Sequence, residues 1–204
     1  AAGNPTSGGS GGGIGKQKLS IALNHRYSFS DTYYNGNEKI DYTYLQASDF
    51  HFSSLNLKYG ITDKLTSTLE LGYFESKTKT FNDIKSKAYG LGDAVLGLQY
   101  AFKINDGLSI QPNINVTLPI GKFDFISNGV VFPIDFQPSA GSYRIGGGFS
   151  SSYIFKNARW RSSLFASINY SAPVQSERVS YYKYGNLYLS GISISFRVWK
   201  KLNV

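Results

Sequence analysis

Apolar and polar residues alternate most regularly over residues 108–122, LSIQPNINVTLPIGK. The apolar positions of this segment are Leu108, Ile110, Pro112, Ile114, Val116, Leu118 and Ile120. The positions between them are polar, so a β-strand here has one apolar face and one polar face. Strands of soluble proteins are most often about 5–6 residues long, whereas a strand that crosses a membrane needs about 9–11. The pattern therefore predicts a transmembrane strand with its apolar face toward lipid and its polar face toward a lumen.

Seven further segments alternate in the same way: residues 17–30, 50–61, 65–78, 90–104, 143–155, 159–172 and 186–199. Together the segments predict an all-β fold, an antiparallel up-and-down transmembrane β-barrel with eight strands visible in this chain. Within residues 50–61, Phe50 and Phe52 share one parity while Leu55 and Leu57 share the other. This change of parity predicts a β-bulge at Ser53 and Ser54 that keeps both phenylalanines on the lipid side.

The predicted connections alternate between long and short. The long ones are residues 31–49, 79–89, 123–142 and 173–185, and the short ones are residues 62–64, 105–107 and 156–158. Outer-membrane barrels have short periplasmic turns and long external loops, so the first strand is expected to run outward. Residues 123–142 are rich in Phe, Val and Ile, which predicts that this loop folds over the barrel mouth or dips into it.

Composition supports a membrane barrel, with 41% hydrophobic residues, 17% charged residues, 16 Tyr and 14 Phe. No run of about 18 apolar residues is present, which excludes a helical span. The chain has no Cys, hence no disulfide and no thiolate metal site. It does not begin with Met, and we expect a mature chain from which a signal peptide has been removed. Residues 1–16 are rich in Gly and Ser and are predicted to be a tail or a lumen segment, with the barrel at residues 17–204.

The net charge of +8 raises the question of an anionic partner. Lys and Arg are spread along the chain without a basic stripe, which argues against nucleic acid. Anionic lipid headgroups are the better match, and Lys77, Lys79, Lys85 and Lys87 are the expected contacts, with a merely solvated loop as the alternative.

Charged and amide side chains on the polar parity are the candidate functional residues. The predicted lumen-lining residues are Arg26, Lys58, Glu70, Asp93, Gln99, Lys103, Gln111, Asn113, Asn115, Arg144, Arg161, Asn169 and Arg197. The position of each residue along its predicted strand gives its height in the barrel. Asp93 is expected to meet Arg144 or Arg26 near the mouth. Lys58, Lys103, Arg161 and Arg197 are expected to gather near the periplasmic end. Two interpretations stay open: a charged permeation path, or a plugged interior held together by ion pairs.

The two histidines, His25 and His51, are the other candidates for chemistry. Nearby Ser and Asp residues suggest the outer-membrane lipid acyltransferases or phospholipases that use His with Ser at the lipid edge. With the bulge at Ser53 and Ser54, however, the histidines fall on opposite faces and are not expected to converge. The sequence therefore predicts a protein that is not an enzyme, with no cofactor and no metal site.

Four short motifs resemble a known family: GLGD at residues 90–93, LPIGK at 118–122, YGITDKL at 59–65 and YGN at 184–186. They resemble the outer-membrane barrels labelled as transporters of the MetA pathway of phenol degradation. The resemblance extends over nearly the whole chain and implies about twelve strands, in a channel or transporter for small, often hydrophobic compounds. This chain differs by showing eight strands and by lacking the cysteines often seen near the amino terminus of that family.

Two functions follow as hypotheses, both in the outer membrane of a Gram-negative bacterium. The first is a channel or transporter for a small solute. The second is a structural or interaction barrel with a filled lumen, acting as a subunit with other outer-membrane proteins. We also expect the barrel wall to be completed by strands beyond Val204 or by sequence outside this chain. The alternative is an eight-stranded barrel in which residues 19–29 pair with residues 187–198.

Overall fold

The computed structural model describes residues 13–35, 37–40, 45–81, 84–127, 130–155, 160–174, 182–199 and 202–203. Eight long strands form one antiparallel sheet. They are β1 (Leu19–Ser30), β2 (Leu45–Gly60), β3 (Leu65–Phe81), β4 (Ile84–Tyr100), β5 (Leu108–Leu118), β6 (Arg144–Ile154), β7 (Trp160–Ser171) and β8 (Leu187–Trp199). The all-β, antiparallel prediction is confirmed. In the described part of the chain, no helix has the length and hydropathy needed to cross a membrane.

Each long strand pairs with the next one along the chain, so the topology is up-and-down. Among the residues that the structure describes, β1 pairs only with β2, while β8 pairs with β7 and with the two-residue strand Leu202–Asn203. Between the described residues of β1 and β8 there is no ladder. The sheet is therefore a half-barrel in which one edge of β1, and one edge of β8 up to Phe196, are open in the described part of the chain.

The two faces of the sheet differ sharply in polarity. Directly paired residues on neighbouring strands share a face, so the registers define an outer face with Leu23, Ile114 and Ile192. These three side chains are 80%, 63% and 77% exposed. The inner face carries polar residues such as Gln111, which is 1% exposed. A large exposed apolar surface is unfavourable in water but is the surface that a lipid-facing wall requires.

Aromatic pairs mark the end of the outer face where the short turns lie. Tyr100 contacts Phe102 with ring centroids 4.6 Å apart, Tyr153 contacts Phe155 at 5.0 Å, and Trp160 contacts Phe196 at 4.6 Å. Such a band is typical of the interface between membrane and water.

The predicted loop at residues 79–89 is wrong, because β3 and β4 continue through it as a paired hairpin. Phe81 pairs with Ile84, so only residues 82–83 separate the two strands. The sequence did not predict this extension because residues 79–89 show no alternation of apolar and polar positions. A strand that projects beyond the membrane does not need an apolar face. Lys77 and Lys79 consequently belong to a strand, and both contact residues of the loop after β5.

The predicted bulge at Ser53 and Ser54 is also wrong. The register between β1 and β2 runs without a shift through both serines. The irregularity lies between β2 and β3, where His51 pairs with Ser76 and Phe52 pairs with Phe74, leaving Glu75 as the extra residue. Phe50 and Phe52 therefore lie on the inner face, opposite Ser28 and Arg26, and they are not part of a lipid-facing girdle.

Pro112 lies where the pairing between neighbouring strands is interrupted. β4 pairs with β5 up to Gln99 and Asn113, and pairing resumes with Phe102 and Ile110. Proline has no backbone N–H, so it cannot donate to the ladder at this point. The ladder between β4 and β5 therefore has a gap at Pro112.

The short turns are held by side chains. Thr62 Oγ1 accepts hydrogen bonds from the amides of Lys64 and Leu65 at 3.2 and 2.9 Å. Asn105 Oδ1 accepts from the amides of Gly107 and Leu108 at 2.9 and 2.8 Å. Both predicted turns are thus confirmed, whereas the one at residues 156–158 lies outside the described residues.

The predicted amino-terminal segment is described only from residue 13 onward. The Lys16 amide donates to Asp63 Oδ1 at 3.1 Å, and the Gln17 amide donates to the Gly60 carbonyl at 2.8 Å. The chain therefore enters β1 beside the turn between β2 and β3. Whether residues 1–16 form a separate tail or a lumen segment stays a prediction.

Candidate functional site at the lumen mouth

The connection between β5 and β6 folds against the inner face of the sheet. It contains a short 3₁₀ helix, Ile134–Phe136, followed by residues that are almost inaccessible to solvent. Gln137, Ser139 and Ser142 are 3%, 1% and 0% exposed. We call residues 132–142 the mouth segment. Its burial confirms the prediction that this apolar connection folds over the mouth or dips into it.

Asp93 on β4 anchors the mouth segment. Its Oδ1 atom accepts hydrogen bonds from the Ser139 hydroxyl at 2.6 Å and from the Ala140 amide at 3.2 Å. On β3, Lys77 Nζ donates to the Gln137 carbonyl at 2.8 Å. Hydrogen bonds with a charged partner are roughly twice as strong as neutral ones, so two strands hold the segment.

The mouth segment also has a small core of its own. Phe132 and Phe136 pack with ring centroids 5.0 Å apart, and they form one buried cluster with Ala88, which is fully buried. The Gln137 amide group donates to the Phe132 carbonyl at 2.7 Å and its Oε1 accepts from the Phe125 amide at 2.8 Å. This side chain closes the loop on itself, and the aromatic residues that the sequence singled out stay out of water.

A cavity of about 270 Å³ lies between the mouth segment and the strands. Its polar lining includes Glu70, Asp93, Asn115, Arg144 and Asn169, all predicted lumen residues. Phe52, Phe74 and Ile134 add apolar surface. A pocket with mostly apolar walls and a few convergent polar groups can hold a small molecule in a defined orientation.

Two arginines present donors to the interior. The Arg26 guanidinium lies 5.2 and 5.5 Å from the ring centroids of Phe50 and Phe52, and Arg144 lies 5.1 Å from that of Tyr184. Arg26 Nε and Nη2, and Arg144 Nε, are buried without a hydrogen-bond acceptor among the described residues. Buried donors of this kind require a partner, so they are suited to water or to a solute in the lumen.

Asp93 accepts hydrogen bonds from the mouth segment and not from the arginines that the sequence predicted as its partners. Sequence reasoning placed Arg144 or Arg26 against this carboxylate, whereas Ser139 and Ala140 donate to it directly. Arg144 and Lys77 act on Asp93 electrostatically, and Arg26 acts on Glu70 in the same way. The mouth segment supplied the partners, and no sequence pattern indicated which of its residues would reach β4.

Below the main cavity, a smaller one of about 100 Å³ is lined by Lys58, Glu70, Asn113 and Asn115 among others. Next to it, Gln99 donates from its amide group to Gln111 Oε1. These residues lie on the inner face, in the lower half of the predicted lumen.

The basic residues expected to gather at the periplasmic end, Lys58, Lys103, Arg161 and Arg197, are only partly described, and their gathering stays a prediction. Lys103 Nζ is exposed and donates to Asp106 Oδ1 at 2.8 Å in the turn before β5. This hydrogen bond and the lysine charge lower the pKa of the Asp106 carboxyl below its ordinary value. Arg161 is half-buried on the inner face of β7. Arg197 pairs with Asn203, and its side chain lies outside the described residues.

His25 and His51 converge, and the expectation that they do not is wrong. His51 Nδ1 lies 3.4 Å from His25 Nε2, on the outer face. The cause is the register of β1 and β2, which runs without a bulge and puts both rings on one side. Sequence reasoning missed two further members of this group, Ser53 and Glu75, because only the bulge in β3 brings Glu75 to them.

No protein-family model matches the sequence, and no curated protein does. Among solved structures, the chain resembles an outer-membrane channel from Pseudomonas putida F1 with a TM-score of 0.72 and 12% sequence identity. The match covers 98% of this chain and 73% of that chain. At this identity the likeness shows the fold alone, the antiparallel wall of a β-barrel.

Proposed function

We propose that this chain forms the wall of an outer-membrane channel through which a small solute crosses the outer membrane of a Gram-negative bacterium. The observation that carries the proposal is the contrast between the two faces of the half-barrel. The outer face exposes large apolar side chains, whereas the inner face carries polar and charged side chains that converge on a cavity of about 270 Å³. The likeness of the fold to an outer-membrane channel supports the same conclusion.

The lining of the cavity suits a small compound with an apolar body and a polar group. Phe52 and Phe74 offer aromatic surface, with ring centroids 4.7 Å apart. Arg144, Glu70 and Asp93 offer charge of both signs beside them. This combination agrees with what the motif resemblance implies, a transporter of small, often hydrophobic compounds related to phenol degradation.

A structural or interaction barrel with a filled lumen is the second candidate. The buried mouth segment, with Ser139 hydrogen-bonded to Asp93 on the inner face of β4, favours it. In that case other outer-membrane proteins and anionic headgroups are the partners. No catalytic role, cofactor or nucleic acid enters either proposal.

Solute flux into proteoliposomes separates the two candidates. We expect the protein, purified together with whatever strands complete its barrel wall, to admit small aromatic acids faster than protein-free liposomes do. Asn115→Trp should lower this flux, because Asn115 lines both cavities. Val116→Trp is the matched control, because this neighbouring side chain is 41% exposed on the outer face and lines neither cavity, so the substitution should not change the flux.

Flux no greater than that of empty liposomes would overturn the channel proposal and favour the filled barrel. An equal loss with both tryptophan variants would also contradict it, because the path would then not follow the inner face.

A further inference from the structure

Four polar side chains form a cluster on the outer face at the junction of β1, β2 and β3. Glu75 Oε1 lies 3.4 Å from His25 Nδ1, and His51 Nδ1 lies 3.4 Å from His25 Nε2. One candidate ligand atom from each of these three residues can be chosen so that all lie within 4.8 Å of one another. The Ser53 hydroxyl donates to Glu75 Oε1 at 2.6 Å and lies 3.0 Å from His25 Nδ1.

Backbone structure, and not chance side-chain rotation, creates this convergence. His25 pairs directly with Ser53, which puts both on the outer face. The bulge in β3 then inserts Glu75 between Phe74 and Ser76 and turns its carboxylate toward them. β-Bulges are over-represented next to functional sites, where they re-aim a side chain.

The setting of the cluster makes its composition unusual. A groove of about 450 Å³ beside it is lined by Leu23, Leu55, Leu71, Tyr73 and Leu91, together with His25 and Ser53. Tyr27 packs on the His51 ring with centroids 4.7 Å apart. Tyrosines of this kind mark the membrane interface, where water still reaches polar side chains.

A hydrolytic triad does not explain the arrangement. In such a triad the acid orients the histidine from the ring nitrogen opposite the serine. Here Glu75 and Ser53 both lie at Nδ1 of His25, and Nε2 faces His51. The cluster therefore lacks the relay of a serine hydrolase but has the donors of a metal site.

We propose that His25, His51 and Glu75 bind a divalent transition-metal ion, with Zn²⁺ as the best-suited ion. Imidazole and carboxylate are zinc ligands, and a tetrahedral site with bonds of about 2.0–2.2 Å places ligand atoms roughly 3.3 Å apart. His25 Nδ1 and Glu75 Oε1, 3.4 Å apart, already have this spacing, and a ligand nitrogen of His51 lies within 4.8 Å of a ligand atom of each of them. Three protein ligands leave a fourth position for water, with Ser53 bonded to the carboxylate ligand as a supporting partner.

Zinc titration of the folded chain in detergent tests the proposal. We expect saturable binding of one Zn²⁺ per chain by isothermal titration calorimetry. His25→Ala, His51→Ala and Glu75→Gln should each weaken the affinity by about tenfold or more, since even loss of a supporting partner costs about 10–100-fold. Asp49→Asn is the matched control, because Asp49 lies on the same face of β2, opposite Phe29, outside the cluster. Circular dichroism establishes that each variant is folded.

A second measurement needs no substitution. The chain contains only two histidines, so its imidazole NMR signals can be assigned directly. Zinc at the proposed site should shift the imidazole signals of both His25 and His51, and the shifts should be complete when one Zn²⁺ has been added per chain. A shift of only one histidine, the absence of saturable binding, or an equal loss of affinity with Asp49→Asn would overturn the proposal. None of these results depends on whether the barrel conducts solute.

Discussion

At the scale of single residues, Asp93 is the side chain on which the mouth segment most depends. Its one Oδ1 atom accepts from both Ser139 and Ala140. Hydrogen bonds to charged groups contribute about 1.5–3 kcal/mol each. Lys77 also donates to the Gln137 carbonyl, but Gln137 lies two residues before Ser139, so this hydrogen bond does not hold Ser139 and Ala140 directly.

Removing this acceptor should loosen the mouth segment without unfolding the sheet. Asp93→Ala is expected to speed hydrogen exchange of the Ala140 amide by about tenfold or more, which corresponds to about 1.4 kcal/mol. Glu70→Ala is the control, because Glu70 lines the same cavity from β3. Equal exchange at Ala140 in wild type and Asp93→Ala would show that the segment is held by other contacts.

Gly121 is a second residue whose identity matters, because of the space around it. A Cβ atom at this position would lie 1.7 Å from the Leu91 carbonyl oxygen, whereas one at Gly185 would meet nothing within 4 Å. Gly121→Ala should therefore lower the free energy of unfolding by about 1–3 kcal/mol, as overpacking typically does. Gly185→Ala should leave it nearly unchanged. Urea unfolding in lipid vesicles measures both, and equal stability of the two variants would contradict the packing described for the loop after β5.

At the scale of elements, the strands were predictable and the contacts between them were not. Period-two alternation placed all eight strands, because an apolar outer face constrains every second residue. The bulge was misplaced because parity within one strand does not reveal which of two paired strands carries the extra residue. Register decides this, and register here put Glu75 in β3 as the insertion.

For the same reason, the sequence predicted which residues lie on the inner face but did not predict which of them are in contact. The inner-face residues Asn115 and Asn169 follow from strand parity alone. The contact of Asp93 with Ser139 spans 46 positions and depends on how the loop folds, which no local pattern encodes. The approach of His25 to His51 likewise required the register between β1 and β2.

The direction of the strands predicts which connections face the outside. Lys39, between β1 and β2, and Lys64, between β2 and β3, are both exposed and lie at opposite ends of the sheet. Trypsin added to intact cells should cleave after Lys39 and spare Lys64, because short turns face the periplasm. Cleavage after Lys64 with Lys39 intact, as read by mass spectrometry, would show an inverted topology.

At the scale of the whole molecule, the open edges of β1 and β8 are the main structural constraint. An unpaired strand edge in hydrocarbon leaves backbone groups unsatisfied, at a cost of several kcal/mol each. We therefore propose that the half-barrel is completed in the membrane by further strands, from this protein or from a partner. The size of the finished lumen depends on that completion, whereas the orientation of the two faces does not.

The most direct test of the account is the environment of two adjacent residues on β5. The chain has no Cys, so single-cysteine variants at Ile114 and Asn115 can each carry one spin label. In lipid vesicles, the label at residue 114 should collide mainly with oxygen, which dissolves in lipid. The label at residue 115 should collide mainly with a water-soluble nickel chelate. Equal access of both labels to the nickel chelate, or the reverse pattern, would contradict a wall with lipid outside and an aqueous lumen inside.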